Sequence, residues 1–342
     1  MIRVLVVDDS VAVRSMVSAL LKEDPEIEVA GVAPDGRVGL AKFRQLRPDV
    51  VTLDVEMPEL DGLATLAAIR REDPSAVVIM CSSLTRRGAL ATFDALAAGA
   101  SDYVAKPDGP HSLAEFGMEL IAKVKTHVLR GAVTPPPAGP VKLAPRRARH
   151  KIEIVAVASS TGGPNALAEI IPALPQDFPV PVVVVQHMPP VFTQLLAERL
   201  DAASQLAVRE GLEGVRLEAG VVYIAPGSHH MVARGSGAEI FLHLSDEPPE
   251  NCCRPAADVL FRSVARCYQA GVLGVVLTGM GQDGMRGAEA IHLAGGQVIA
   301  QDELSSVVWG MPRAVAEAGL AAAVLPLREI AEEVARRVRA HG

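Results

Sequence analysis

Residues 3–22 read RVLVVDDSVAVRSMVSALLK. The apolar run Val4–Val7 stops at Asp8 and Asp9, and Val11–Lys22 follows with apolar residues at helical spacing. A short apolar run without alternation is a strand buried on both faces, and a helix directly after it makes half of a βα unit. The unit recurs outward from this point. Glu28–Val32, Val50–Leu53, Val77–Met80 and Tyr103–Ala105 are further strand candidates, with helical stretches such as Asp61–Arg71 between them. Beyond residue 150 the habit returns in Ile152–Ala158, Val180–Val185, Val272–Leu277 and Gln297–Ala300, with short strands and turns expected over 205–250. The pattern predicts an α/β chain of two doubly wound parallel-sheet domains with right-handed crossovers. The expected division is 1–127, a Pro/Gly/Ala-rich linker over 128–150 (GAVTPPPAGPVKLAPRRARH at 131–150), and 151–342.

Composition narrows the function. The chain has 342 residues, enough for two cores, and is 49% apolar but 3% aromatic, so Val, Leu, Ala and Ile must fill the interior. Net charge is −7, which argues against a nucleic-acid partner, and the basic cluster Arg146–Lys151 reads as a solvated linker end. Apolar runs fall short of the roughly 20 residues of a membrane span, and Val4–Val7 is too short for a signal peptide, so a cytoplasmic protein with no membrane insertion is expected. Cys81, Cys252, Cys253 and Cys267 lack CxxC spacing and indicate neither a disulfide framework nor a zinc ribbon.

Polar residues stand where the first-domain strands stop: Asp8 and Asp9, Asp54, Ser82 and Lys106. Carboxyl ends of parallel strands line the ligand crevice, so these groups are expected to converge. Crowded carboxylates need a hard cation among them, and Mg²⁺ is the natural occupant. A carboxylate beside Mg²⁺ and the Lys106 ammonium is equipped to take a phosphoryl group, and the Ser82 hydroxyl can bond to it. Any one Asp at a strand end is an ordinary turn or cap residue; the combination carries the reading.

The second domain opens with a strand running into Ser159-Ser160-Thr161-Gly162-Gly163. Such a turn serves a nucleophilic serine, a phosphate site or a capped helix equally well, and GxSxG is absent from the sequence. A serine needs a base and an orienting acid. His187 follows the strand PVVVVQ and Asp283 follows VLGVVLTGMG, so Ser160 as nucleophile, His187 as proton shuttle and Asp283 as orienter can meet at one sheet edge. Oxyanion donors are expected near Thr161 and in Gly279–Gly281. His229-His230 and Cys252-Cys253 make a poor metal site, because adjacent residues on a strand point to opposite faces; His230 reads as a loop residue near the site. Gly279–Gly284 also matches the dinucleotide fingerprint GxGxxG, with Asp302 18 residues past Gly284. Asp283 would repel a pyrophosphate there, and 58 residues after Gly284 are too few for the rest of such a domain.

The runs VLVVDDS, TLDVEMPELDG and YVAKP resemble the receiver domain of two-component response regulators over about residues 1–127. ASSTGGPNAL, VVVQHMPPVFT, VYIAPGSHHM, CCRPAADVLFRSVA, LTGMGQDGM and QDELSSVVWGMPRAV resemble the chemotaxis protein-glutamate methylesterase (CheB) family over about 152–320. The resemblance implies a flavodoxin-like receiver followed by a Rossmann-like hydrolase domain. In the receiver it implies Asp54 as phosphoacceptor, Asp8, Asp9 and the Glu56 carbonyl as Mg²⁺ ligands with Asp54, Ser82 and Tyr103 as a switch pair, Lys106 as phosphoryl sensor, and a cis bond before Pro107. In the hydrolase it implies a Ser160, His187 and Asp283 triad that needs no cofactor, with Thr161 and Met280 as oxyanion donors. The substrates implied are glutamate γ-methyl esters on chemoreceptors, with deamidation of glutamines, and the phosphodonor is a chemotaxis histidine kinase. The receiver would cover the hydrolase site until Asp54 is phosphorylated. One departure stands out: Ala158-Ser159 replaces the family's usual Gly-Ala before the nucleophile, putting a second hydroxyl beside Ser160. A non-catalytic signalling adaptor and a dinucleotide-dependent oxidoreductase are the alternatives.

Overall fold

The computed structural model describes residues 1–107, 113–132, 150–237 and 239–340, which gather into two compact units parting between Pro137 and Ala138. The first unit alternates β1 (Ile2–Val7), α1 (Val11–Leu21), β2 (Ile27–Ala33), α2 (Gly36–Leu46), β3 (Val50–Asp54), α3 (Gly62–Glu72), β4 (Val77–Ser82), α4 (Arg86–Ala97), β5 (Asp102–Ala105) and α5 (Leu113–Ala132). Helix starts are set by side chains that accept from orphan amides: Ser10 for α1, Asp35 for α2, Asp61 for α3 and Thr85 for α4. The five strands are parallel in the order β2-β1-β3-β4-β5. Val4, Val6 and Ile79 pack under Val17, Leu21, Phe116 and Leu120. The order reverses between β1 and β3, so the end of β1 (Asp8, Asp9) and the end of β3 (Asp54) meet at the switch point where ligands bind in open α/β sheets. Gly62 is required there: a Cβ would lie 2.2 Å from the Asp54 carbonyl oxygen.

The second unit contains β6 (Ile154–Ser159), α6 (Gly163–Ile170), β7 (Val182–Gln186), α7 (Pro190–Ala203), β8 (Ala207–Glu210), β9 (Val221–Ile224), β10 (His230–Ser236), β11 (Glu239–Ser245), α8 (Ala257–Tyr268), β12 (Val272–Val276), α9 (Met285–Leu293), β13 (Gln297–Gln301), α10 (Met311–Glu317), β14 (Ala323–Leu325) and α11 (Leu327–Arg339). Seven strands form a parallel sheet in the order β14-β13-β12-β6-β7-β9-β8. Strand β6 lies between β12 and β7, which puts the ends carrying Ser160, His187 and Asp283 side by side. The region expected as short strands and turns divides: β8 and β9 extend the main sheet, and β10 and β11 pair antiparallel as a separate hairpin. That hairpin packs Met231, Ala233 and Leu242 against Leu260, Phe261 and Val264 of α8. Gly287 lets α9 approach α8, since a Cβ would lie 2.4 Å from that of Phe261.

Both sheets bear out the α/β, doubly wound expectation. Helix α5 runs to Ala132, past the expected receiver limit at residue 127, because its apolar spacing continues through Val124 and Val128. Residues 133–149 of the expected linker lie outside the described residues. No helix among the described residues is long and apolar enough to cross a membrane. Phe261 is fully buried. Phe261→Ala is expected to destabilise the second unit by about 3–5 kcal/mol, read as a shift in its urea-unfolding transition while the first unit's transition stays put.

Candidate functional site

Two serines follow one another at the end of β6, and their surroundings separate them. Ser159 is fully buried, and its hydroxyl donates to Gln186 Oε1 at 2.7 Å. Ser160 is partly exposed, so it carries the available hydroxyl. Gln186 also donates through Nε2 to the carbonyls of Ser160 (2.9 Å) and His187 (3.2 Å), tying the ends of β6 and β7 together. The His187 amide donates to the Ser159 carbonyl at 3.2 Å, and the Ser160 amide to that of Thr278 at 3.0 Å. Gly279 presses against the serine: a Cβ there would lie 2.8 Å from Ser160 Cβ and 2.3 Å from Met311 Sδ. Thr161 is buried, with its carbonyl accepting from Thr278 Oγ1 at 2.9 Å, and Met280 sits in the loop that Gly279 begins.

Asp283 is a buried carboxylate surrounded by donors. Its Oδ2 lies 2.8 Å from His187 Nε2 and accepts from the Ala257 amide at 2.6 Å. Its Oδ1 accepts from Asn251 Nδ2 (2.9 Å), the Asp258 amide (3.0 Å) and the Gly284 amide (3.0 Å). Ala257 and Asp258 open α8, so the positive end of that helix faces the carboxylate. Burial alone would raise the Asp283 pKa, but His187 and the amides hold it below the usual carboxylate range. His187 is opposed by burial yet pushed up to about 10 by its bonds to Asp283 and Cys253. Its Nδ1 faces Cys253 Sγ at 3.6 Å. His187 and Asp283 are therefore brought together, and Ser160 stands at the neighbouring strand end. Among the described residues no hydrogen bond joins its hydroxyl to His187.

The remaining candidates fall elsewhere. His229 pairs with Asp246 on the surface. His230 is buried as the first residue of β10, not in a loop; Nδ1 accepts from the Ala256 amide at 3.1 Å, so Nε2 carries the proton toward the Pro248 carbonyl at 3.1 Å. The Gly284 amide that a pyrophosphate would use is already bonded to Asp283, which removes the structural basis of the dinucleotide reading. The sequence singles out neither Asn251 nor Asp258 and offers Cys253 only as part of a poor metal site, since the loop before α8 has no periodic pattern. Gln186 was legible only as the residue before His187.

In the first unit, carboxylate oxygens of Asp8, Asp9 and Asp54 lie within 4.8 Å of one another, the one such group of His, Cys, Asp or Glu found among the described residues. Lys106 Nζ is 2.8 Å from both Asp8 Oδ2 and Asp54 Oδ2. Asp8 Oδ2 is buried, and that ion pair supplies it no aligned hydrogen bond, so it keeps acceptor capacity toward a cation. An all-oxygen donor set with one exposed member, Asp9, fits a hard divalent ion that retains water. Burial pushes Asp54 up to about 6, against the pull of Lys106. The Glu56 amide lies 3.4 Å from Asp54 Oδ1, and its side chain pairs with Arg87. Ser82 is buried at the end of β4, its hydroxyl on the Ser83 carbonyl at 3.3 Å. Tyr103 is buried with Lys123 Nζ 5.0 Å from its ring centroid, and burial raises its pKa well above the ordinary value. The cis X-Pro bond among the described residues is Arg254–Pro255, so the cis bond expected before Pro107 is not found; Lys106 reaches both carboxylates without it.

Residues 155–334 match the family CheB methylesterase, and residues 4–116 match the response regulator receiver domain. The chain belongs to the CheB methylesterase family. It is 48% identical to a protein-glutamate methylesterase/protein-glutamine glutaminase of Trichodesmium erythraeum, over 98% of this chain and 99% of that protein. A protein of the same name from a Nocardioides species is 49% identical over 98% of this chain and 95% of its own length. The crystal structure of the Thermotoga maritima CheB methylesterase catalytic domain matches with a TM-score of 0.53 at 45% identity, covering 55% of this chain and 99% of that one. The CheB-family chain is thus a receiver followed by a unit of a carboxylic ester hydrolase family.

A proton on Asp54 must leave before that oxygen can ligate a metal. Mg²⁺ affinity, measured by calorimetry, is expected to weaken as pH falls through about 6 and to level off above it.

Proposed function

We propose that this protein is a phosphorylation-activated protein-glutamate methylesterase acting on chemoreceptors in the cytoplasm by a Ser160, His187, Asp283 mechanism. The observation that carries the reading is the buried His187–Asp283 pair at the strand end beside Ser160, the partly exposed serine of the Ser159-Ser160 turn. Ser160 Oγ attacks the ester carbonyl carbon, and His187 takes its proton. With Nε2 committed to Asp283, the receiving nitrogen is Nδ1, which exchanges Cys253 for Ser160. Asp283 holds the ring and stabilises the imidazolium. Amides of Thr161 and Met280 receive the charge on the carbonyl oxygen. His187 returns the proton to the methoxide as the C–O bond breaks, and methanol leaves an acyl ester on Ser160. Water, deprotonated by His187, then attacks the acyl carbon, and His187 returns the proton to Ser160 Oγ as the acyl C–O bond breaks and the glutamate leaves. The same sequence on a glutamine side chain releases ammonia, which supports glutaminase activity.

In the receiver, Asp54 takes a phosphoryl group from the chemotaxis histidine kinase. Bound Mg²⁺ would be held by Asp8, Asp9, Asp54 and the Glu56 carbonyl, and would neutralise charge on the transferring phosphoryl oxygens. Lys106 pairs with the phosphoryl, and Ser82, with Tyr103 as its switch partner, bonds to it. Phosphorylation of Asp54 raises the turnover of the hydrolase.

Mass spectrometry of a methylated receptor fragment tests the function. Loss of one methylene per site, faster with a small phosphodonor and Mg²⁺, is expected; no mass change in either arm overturns the esterase reading in favour of an adaptor. Ser160→Ala is expected to abolish turnover while leaving Asp54 phosphorylation intact. Full turnover in that variant excludes Ser160 as nucleophile.

Catalysis also needs His187 neutral, so the rate rises as pH climbs through its folded pKa. Cys253 helps raise that pKa. Cys253→Ala is therefore expected to move the acid limb of the pH–rate profile to lower pH.

A further inference from the structure

The loop between β11 and α8 makes two consecutive left-handed residues, Asn251 (φ 53°) and Cys252 (φ 61°). This turn carries the Asn251 side chain back toward the start of α8. There its Nδ2 stands 2.9 Å from Asp283 Oδ1 and 2.9 Å from Asp258 Oδ2. Both carboxylates are nearly sealed from solvent, at 2% and 1% exposure. The second oxygen of Asp258 accepts from the Gly287 amide at 2.6 Å. Two buried carboxylates in one cluster repel each other unless donors stand between them. A primary amide is suited to this because it has two N–H bonds, one for each carboxylate. The flanking groups are acceptors, which also fixes which end of the amide faces in.

We propose that Asn251 is a positioning residue for ester hydrolysis. Its amide bridges Asp283 Oδ1 and Asp258 Oδ2, and so keeps Asp283 Oδ2 aligned on His187 Nε2. Asp258 is the anchor of this bridge: it holds the amide from the far side and is itself fixed to α9 through Gly287. Losing the bridge leaves the Asp283 carboxylate held by backbone amides alone on its Oδ1 side and lets it turn from His187. The inference rests on the Ser160, His187, Asp283 mechanism proposed above.

The left-handed backbone offers a clean separation of roles. Glycine adopts that conformation without strain, and aspartate tolerates it nearly as well as asparagine. Asn251→Gly keeps the turn and removes the amide. Asn251→Asp keeps the turn and the side-chain shape but places an acceptor where two acceptors need a donor. The full-length chain is assayed by methanol release from a receptor fragment carrying glutamate γ-methyl esters, with wild type and Ser160→Ala alongside. Outer hydrogen-bond partners of metal-ligating side chains are worth about 10–100-fold, and a partner of a catalytic carboxylate is expected to fall in the same range. The expected order of kcat is therefore Asn above Gly by about 10-fold and above Asp by about 100-fold, with KM unchanged. The far-downfield proton resonance of the His187–Asp283 bond is expected to weaken in the same order. Equal kcat in all three, with Ser160→Ala inactive, makes Asn251 a turn residue only and overturns the inference alone. Wild-type and Asp forms equal with Gly impaired would mean that side-chain volume matters and the donor does not, which also overturns it. Full turnover by Ser160→Ala overturns the mechanism, and the inference with it.

Discussion

A carboxylate taken out of water has to be hydrogen-bonded or it costs several kcal/mol, and Asp283 is where this chain meets that constraint. Five donors converge on it: the His187 ring, the Asn251 amide, and the backbone of Ala257, Asp258 and Gly284. They come from the end of β7, the loop before α8, the first turn of α8 and the loop after β12. Meeting one buried charge therefore fixes how four separate segments are disposed. Helix α8 and the loop that leads into it from the β10–β11 hairpin look peripheral to the sheet, yet they deliver three of the five donors.

The second constraint is close approach. Gly279 has no room for a side chain because Ser160 and Met311 are already against it, and Gly62 has none because the Asp54 carbonyl is there. In each unit a glycine lets a loop or helix lie directly on the strand end that carries the reactive group. The same solution serves an acyl site and an acidic cluster, since both sit at the switch point of a parallel sheet.

The strand ends were legible in the sequence because a polar residue after an uninterrupted apolar run is a strong local signal. Asp54 and Lys106 directly follow their expected strands, whereas His187 and Asp283 stand further on, past Gln186 and past Thr278–Gln282. The choice between Ser159 and Ser160 was legible only through the family pattern; the physical reason, Gln186 capturing the first hydroxyl, depends on a neighbouring strand. Asn251, Cys253 and Asp258 were not legible as site residues, because their roles arise from a turn of two left-handed residues that no periodicity marks. Strand β14 is half-buried at the sheet edge, and an edge strand has little apolar pattern to read.

Tyr103 lies inside the receiver, with Lys123 Nζ over its ring. A ring this deeply buried has little apolar surface left to remove from water. A ligand or modification shifts a two-state equilibrium only by its unequal interaction with the two states. On the proposed reading, that inequality would come from polar contacts of Ser82 and Lys106 with the phosphoryl group, and these lie where salt screens little. The receiver's set point would then rest on charge pairing in its interior rather than on the hydrophobic effect.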